Sequence, residues 1–188
     1  MSTEISYPNI DKITITGTNG KTTAVETFSG LSNLLGSRCA YMSTVNFSMD
    51  GLSLEKASLT TPDAISIHRN MKNAIYNDAK YLAMEASSHG LEQHRLNGID
   101  IDYAVLTSFS HDHLDYHGDF KTYRDIKKLF FDQLLKTAFA LTNLDDKNGA
   151  FMLQNSKAKT YSYALKQHAD YKAQILECEF SGMLVKVQ

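Results

Sequence analysis

The chain has 188 residues, 43% hydrophobic and 21% charged, which suits one globular domain with a sizeable core and excludes disorder. Its 19 Lys and Arg against 21 Asp and Glu leave a formal net charge of −2, so no basic field points to nucleic acid. The two cysteines, Cys39 and Cys178, form neither a disulfide framework nor a thiolate zinc site. No apolar run approaches the roughly 18 residues of a membrane span, and "MSTEISYPNIDK" lacks a signal peptide's apolar region, so a cytoplasmic protein without membrane insertion is expected.

In chain order, "DKITIT" (11–16) is a β-branched strand that ends at Gly17. From Lys21 to Leu35 a helix is expected, with Val25, Phe28, Leu31, Leu34 and Leu35 as its apolar face and Gly36 as its stop. "CAYMS" (39–43) reads as a second strand, and "FSMDGLSLE" as a hairpin turning at Asp50-Gly51. Thr61-Pro62-Asp63 marks a helix start, with Thr61 as N-cap, Pro62 at the first helical position, and Ile65, His68, Met71, Ala74 and Ile75 forming the stripe. "YLAMEA" (81–86) and "YAVLTS" (103–108) are apolar on both faces, as in a covered parallel sheet. A helix follows over 120–135, then strand "FALTN" (139–143) and a helix over 145–155. The tail, "KTYSYAL", "YKAQILECEF" and "MLVKVQ", is strand-like without intervening helices, with a turn at Ser181-Gly182. The expected fold is α/β: a doubly wound, mostly parallel sheet with a phosphate loop, plus a small antiparallel β appendage at the C-terminal end.

The strongest chemical signal is "ITGTNGKTT" (15–23), a strand running through a Gly-containing turn into a helix. Glycines let backbone N–H groups approach a phosphate, and the helix N-terminus adds positive dipole. Lys21 can then reach the β/γ-phosphates and the Thr22 hydroxyl can ligate Mg²⁺. The pattern is a shortened G-x-x-G-K-T, because Ile15 stands where the usual motif has its first Gly. Open α/β sheets bind ligands beyond the carboxyl ends of their strands. Glu85 ends a second strand there and His113 lies just past a third, so both can hold Mg²⁺ against the nucleotide.

A second chemistry competes for "SFSHDHLDYHGDF" (108–120). His111-x-His113-x-Asp115 resembles the H-x-H-x-D-H signature of two-zinc hydrolases, which would make the cluster 111–117 a hydrolase centre. That signature requires His directly after its Asp, and Tyr116 stands there instead, with His117 one place too far. A P-loop kinase or regulatory NTPase, and a binding-only module, are further alternatives.

"TGTNGKTT", "LTTPD", "MEASSHGLEQHR", "DHLDYHG" and "YRDIK" together resemble, in order and spacing, the Mur ligases of peptidoglycan synthesis, and most of all their MurE-type tripeptide-synthetase branch. "TNGKTT" and the DH pair are shared with folylpolyglutamate ligases, which keeps another ligase of that superfamily as the alternative, while "EASSHGLEQHR" and "DHLDYHG" point to the MurE-type branch. The resemblance implies an ATP-dependent amide ligase that activates the terminal carboxylate of UDP-MurNAc-L-Ala-D-Glu as an acyl phosphate, which a diamino acid then attacks. It implies that Gly17, Thr18, Asn19, Gly20, Lys21, Thr22 and Thr23 cradle ATP, with Asn143 and Asp146 near the nucleotide. Thr22, Glu85 and His113 become metal ligands, and Lys127, carbamylated, supports a second Mg²⁺. Lys21, Lys127 and His113 carry the catalysis, while Thr60, Thr61, Ser87, Gln93 and Arg95 contact the UDP-muramoyl substrate. Leu59 replaces a common Asn and His111 a common Arg. Residues 1–188 are then expected to be the central ATP-binding domain, without the uridine-binding N-terminal and amino-acid-binding C-terminal domains, and to bind ATP–Mg²⁺ without ligating alone.

Overall fold

The structure, a computed structural model, describes residue 7 and residues 9–110, 119–179 and 182–188. Its strands are β1 (Asp11–Thr16), β2 (Cys39–Met42), β3 (Asn46–Ser48), β4 (Glu55–Lys56), β5 (Tyr81–Glu85), β6 (Tyr103–Leu106), β7 (Phe139–Asn143), β8 (Lys159–Ala164), β9 (Tyr171–Glu179) and β10 (Gly182–Val187). The helices are α1 (Lys21–Leu34), α2 (Ala64–Tyr76), α3 (Ser88–Glu92), α4 (Phe120–Asp132) and α5 (Gly149–Leu153). One sheet runs β10-β9-β8-β7-β6-β1-β5-β2-β3-β4. From β8 through β2 every pairing is parallel, and β3 and β4 add the expected antiparallel hairpin.

Register divides the side chains between two faces. Leu82, Met84, Ala40, Met42, Ala104, Leu106 and Ala140 point to one face, where Ile67 and Met71 of α2, Phe131 of α4 and Met152 of α5 close the main core. Ile13, Ile15, Ala83, Cys39 and Tyr41 point to the other, under Val25 of α1. β1 lies between β5 and β6, so the chain reverses its winding there. The carboxyl ends of β1, β5 and β6 open on one crevice.

Four details differ from the sequence reading. β8 pairs in parallel with β7 over Phe139↔Lys159 to Asn143↔Tyr163, so it belongs to the main sheet. Only β9 and β10 form an antiparallel ladder, and β9 joins β8 in parallel at Tyr163↔Tyr171. α1 turns Val25, Ser29 and Ser32 to the sheet, leaving Leu31, Leu34 and Leu35 exposed. The small serines allow close approach, and Ser29 Oγ donates to the Cys39 carbonyl at 3.1 Å. α2 starts later than expected: Asp63 is its N-cap, accepting from Ser66 N at 3.0 Å, and Ile67 rather than the exposed Ile65 faces the core. The last predicted helix contracts to α5, because Asp145 and Asp146 spend their carboxylates on loop N–H groups before it begins.

Candidate functional site at the sheet edge

The turn after β1, where a phosphate loop is expected, is shaped by two glycines and a neighbouring strand end. Gly20 caps α1 in the left-handed region, at φ 84°. Gly17, at φ 150°, lies so close to Thr107 that a Cβ there would stand 2.0 Å from its hydroxyl oxygen. Thr107 Oγ1 lies 2.6 Å from the Asn19 carbonyl, Thr18 N–H donates to the Ser108 carbonyl at 2.7 Å, and Asn19 N–H donates to Ser108 Oγ at 3.1 Å. The loop is thus clamped to the segment leaving β6, while the first turn of α1 directs N–H groups without intrahelical acceptors towards the crevice. Lys21 Nζ is drawn over the loop by the carbonyls of Gly17 (2.9 Å) and Thr18 (3.0 Å).

Beside it lies Glu85, only 1% exposed. Its Oε1 accepts from Thr22 Oγ1 at 2.8 Å and from Thr44 N–H at 2.7 Å, and its Oε2 stands 3.1 Å from Thr44 Oγ1. Among the described residues no cationic side chain is paired with it. A buried carboxylate balanced only by neutral donors, next to a hydroxyl at a helix N-terminus, is a hard oxygen set that fits Mg²⁺. No group of three or more His, Cys, Asp or Glu suited to a metal gathers among the described residues. His113 and the whole cluster 111–117 lie outside them.

Lys127 reaches the same loop from behind. It is 1% exposed, so it is buried and not solvated; its Nζ donates to the Gly17 carbonyl at 2.9 Å, stands 3.4 Å from Thr16 Oγ1 and lies 4.9 Å from the centre of the Tyr123 ring. Tyr123, also buried, places its hydroxyl 3.1 Å from Thr18 Oγ1.

The residues expected to hold the second substrate form one cluster on the other flank. Thr61 Oγ1 donates to the Glu85 carbonyl (2.9 Å) and accepts from Ser87 N–H (2.9 Å). Arg95 donates through Nη1 to the Thr61 carbonyl and through Nη2 to Gln93 Oε1. Thr60 Oγ1 lies 3.2 Å from Thr44 Oγ1, which ties this cluster to Glu85. Asn143 and Asp146 sit at the carboxyl end of β7, but their polar atoms serve the protein. Asn143 Nδ2 donates to the Thr107 carbonyl at 3.1 Å, and Asp146 accepts from the N–H groups of Phe109 and Asn148. Asp145 holds the β8–β9 loop, and the Leu165 N–H, followed by those of Gln167 and Lys166, keeps its carboxyl below the usual carboxylate range.

Sequence reasoning missed Thr44, Thr107 and Tyr163. All three act on partners far away in the chain, Thr44 on Glu85 41 positions on, Thr107 on Asn19 88 positions back and Tyr163 on Leu106 57 positions back.

Residues 15–188 match the model of the Mur ligase middle domain. The chain is 40% identical over 178 residues to the UDP-N-acetylmuramoyl-L-alanyl-D-glutamate–2,6-diaminopimelate ligase of Phocaeicola vulgatus, a match covering 95% of this chain and 37% of that one. It is 42% identical over 168 residues to the ligase of the same name from Parabacteroides distasonis, covering 89% of this chain and 34% of the relative. A solved structure of a ligase with that name superposes with a TM-score of 0.82 at 33% identity, over 95% of this chain and 37% of its own. The chain therefore spans a little over a third of the length of these relatives. Matched over residues 15–188, the chain belongs to the Mur ligase family, as its middle domain.

Proposed function

We propose that this chain is the ATP-handling domain of a ligase that adds 2,6-diaminopimelate to UDP-N-acetylmuramoyl-L-alanyl-D-glutamate. The observation that carries the reading is the hydrogen bond from Thr22, in the phosphate loop, to buried Glu85, in a chain 40% identical to ligases so named. In this reaction the substrate carboxylate attacks the γ-phosphorus of ATP, the bond to the β-phosphate oxygen breaks, and ADP leaves. The amine then attacks the acyl carbon, loses a proton, and expels phosphate.

Both steps bring anions together, so fixed positive charge is what the protein must supply. Lys21 and the N–H groups of the α1 terminus provide it at the β/γ-phosphates. Thr22 and Glu85, with His113, would hold Mg²⁺, which neutralises and aligns the phosphoryl oxygens. Thr60, Thr61, Ser87, Gln93 and Arg95 form the flank on which the UDP-muramoyl substrate would lie. Asn143 and Asp146 support the nucleotide end of the crevice by fixing the segment after β6.

Lys127 would act as a carbamate. Its ammonium first loses a proton; the neutral amine then adds to the carbon of CO₂ and releases a second proton, which would leave an anionic oxygen donor for a second Mg²⁺ behind the loop. Burial against the Gly17 carbonyl supports this, since the carbamate nitrogen keeps an N–H for that acceptor. ¹³C NMR under labelled CO₂ should give a carbamate signal that Lys127→Ala removes; a spectrum identical in the two proteins contradicts the modification. The soluble reactants place the work in the cytoplasm.

Calorimetric titration with ATP–Mg²⁺ tests the reading. Lys21→Ala should weaken binding at least about tenfold, which corresponds to roughly 1.4 kcal/mol from a charge-assisted phosphate contact. Unchanged affinity would overturn it.

A further inference from the structure

We propose that Tyr163 is a positioning residue of the phosphate loop, acting from β8 across β7 through Thr107. The proposal rests on the nucleotide-binding reading above for its effect on ATP, but its geometry stands alone. The β6–β7 ladder ends at Val105↔Leu141. The next carbonyls, of Leu106 and Thr107, are met by side chains instead: the Tyr163 hydroxyl lies 3.1 Å from both, and Asn143 Nδ2 lies 3.1 Å from that of Thr107. A carbonyl leaving a sheet in a half-buried place needs such a donor, because its desolvation is otherwise uncompensated.

Thr107 and Ser108 carry this anchoring to the loop. The Thr107 hydroxyl lies 2.6 Å from the Asn19 carbonyl and 3.2 Å from that of Thr16, and it occupies the space a Cβ on Gly17 would need. Ser108 receives the Thr18 N–H on its carbonyl and the Asn19 N–H on its hydroxyl. The position of the 107–108 backbone therefore sets the position of Gly17 to Asn19. Burial, followed by the charges of Asp146 and Asp145, pushes the Tyr163 phenol up to about 12, so it remains a hydrogen donor at neutral pH. β8 thus does more than extend the sheet. It brings to β6 the hydroxyl that fixes where the nucleotide cradle sits.

The test compares Tyr163→Phe, Thr107→Val and the double variant in the 188-residue chain. Amide hydrogen exchange without nucleotide should quicken roughly three- to tenfold at Thr18 and Asn19 in Tyr163→Phe, the scale of one lost hydrogen bond, and stay unchanged at Ala83 and Met84 in β5. The dissociation constant for ATP–Mg²⁺ should rise by a similar factor, and Tyr163→Phe should add little in the Thr107→Val background. Unchanged loop exchange, a rise spread equally over β5 and the loop, or fully additive effects of the two substitutions would each overturn the proposal. If the unaltered chain binds no ATP, the functional reading fails, while loop exchange still decides the role of Tyr163.

Discussion

At Gly17 the turn after β1 lies tight against Thr107 and Ser108, the residues that follow β6. A methyl group there would stand 2.0 Å from Thr107 Oγ1 and 3.0 Å from the Ser108 backbone, so Gly17→Ala must displace one segment or the other. We expect ATP–Mg²⁺ affinity to fall at least about tenfold in that variant, as for loss of a charge-assisted phosphate contact. Titration at equal protein concentration checks it. Glu85→Gln keeps the shape and removes the charge: if Glu85 holds the metal as proposed, the variant should abolish the Mg²⁺ dependence of ATP binding while leaving the metal-free affinity within about twofold. Calorimetry with and without EDTA separates the two. The turn carrying Gly17, Lys21 and Thr22 was legible in the sequence because a strand–turn–helix signature is local, contained in nine consecutive residues, whereas Glu85 was picked out only as the end of another strand. Thr107 and Tyr163 were not. Their hydroxyls act on residues 88 and 57 positions away, and nothing in "YAVLTS" or "KTYSYAL" distinguishes them from ordinary strand residues.

Among the elements, the strands were read correctly from apolar runs, while helix α3, the faces of α1 and the start of α2 were not. The leucines of α1 follow helical spacing, yet the sheet takes Val25, Ser29 and Ser32, because packing decides which stripe is buried. At α2, Thr61 was already engaged by the Glu85 carbonyl and Ser87, which left capping to Asp63. Asp63 and Asp119, the caps of α2 and α4, both titrate below the usual carboxylate range. The Ser66 hydroxyl and N–H lower the first, and the Thr122 N–H lowers the second. Depressed folded-state values mean that their stabilisation is complete above the unfolded value of about 3.9 and is lost as pH falls through the folded ones. Thermal melts should therefore show a plateau above about pH 5 and a decline below about pH 4. Asp63→Ala should lower the plateau by a few degrees and flatten the decline. A melting temperature indifferent to that substitution contradicts the capping role.

The whole molecule is covered unevenly. Among the described residues, helices close one face of the sheet, while on the other α1 covers the β1, β5 and β2 side. A trough of about 680 Å³ runs beside Phe28 of α1, floored by Tyr103, Phe139, Tyr161 and Tyr171, and the outermost strand β10 exposes Met183, Leu184, Val185 and Val187. An apolar face and an uncovered edge favour association, so sedimentation should shift to larger species as concentration rises, and Val185→Lys should restore monomer. A monomer at every concentration would contradict this. The β3–β4 hairpin and the parallel core were legible from their patterns, whereas the place of β8 was not, because a parallel partner leaves no mark in a strand's own sequence. The carboxyl ends of β1 and β5 form one edge, at which Gly17 to Thr23, Glu85 and Lys127 come together. A crystal structure of the chain with a non-hydrolysable ATP analogue and Mg²⁺ tests that convergence most directly. The account predicts β- and γ-phosphates on the N–H groups of the α1 terminus, Lys21 turned onto them, and the cation about 2.1 Å from Thr22 Oγ1 on the Glu85 side. A nucleotide bound elsewhere, or phosphates that leave Thr22 and Glu85 untouched, would contradict it.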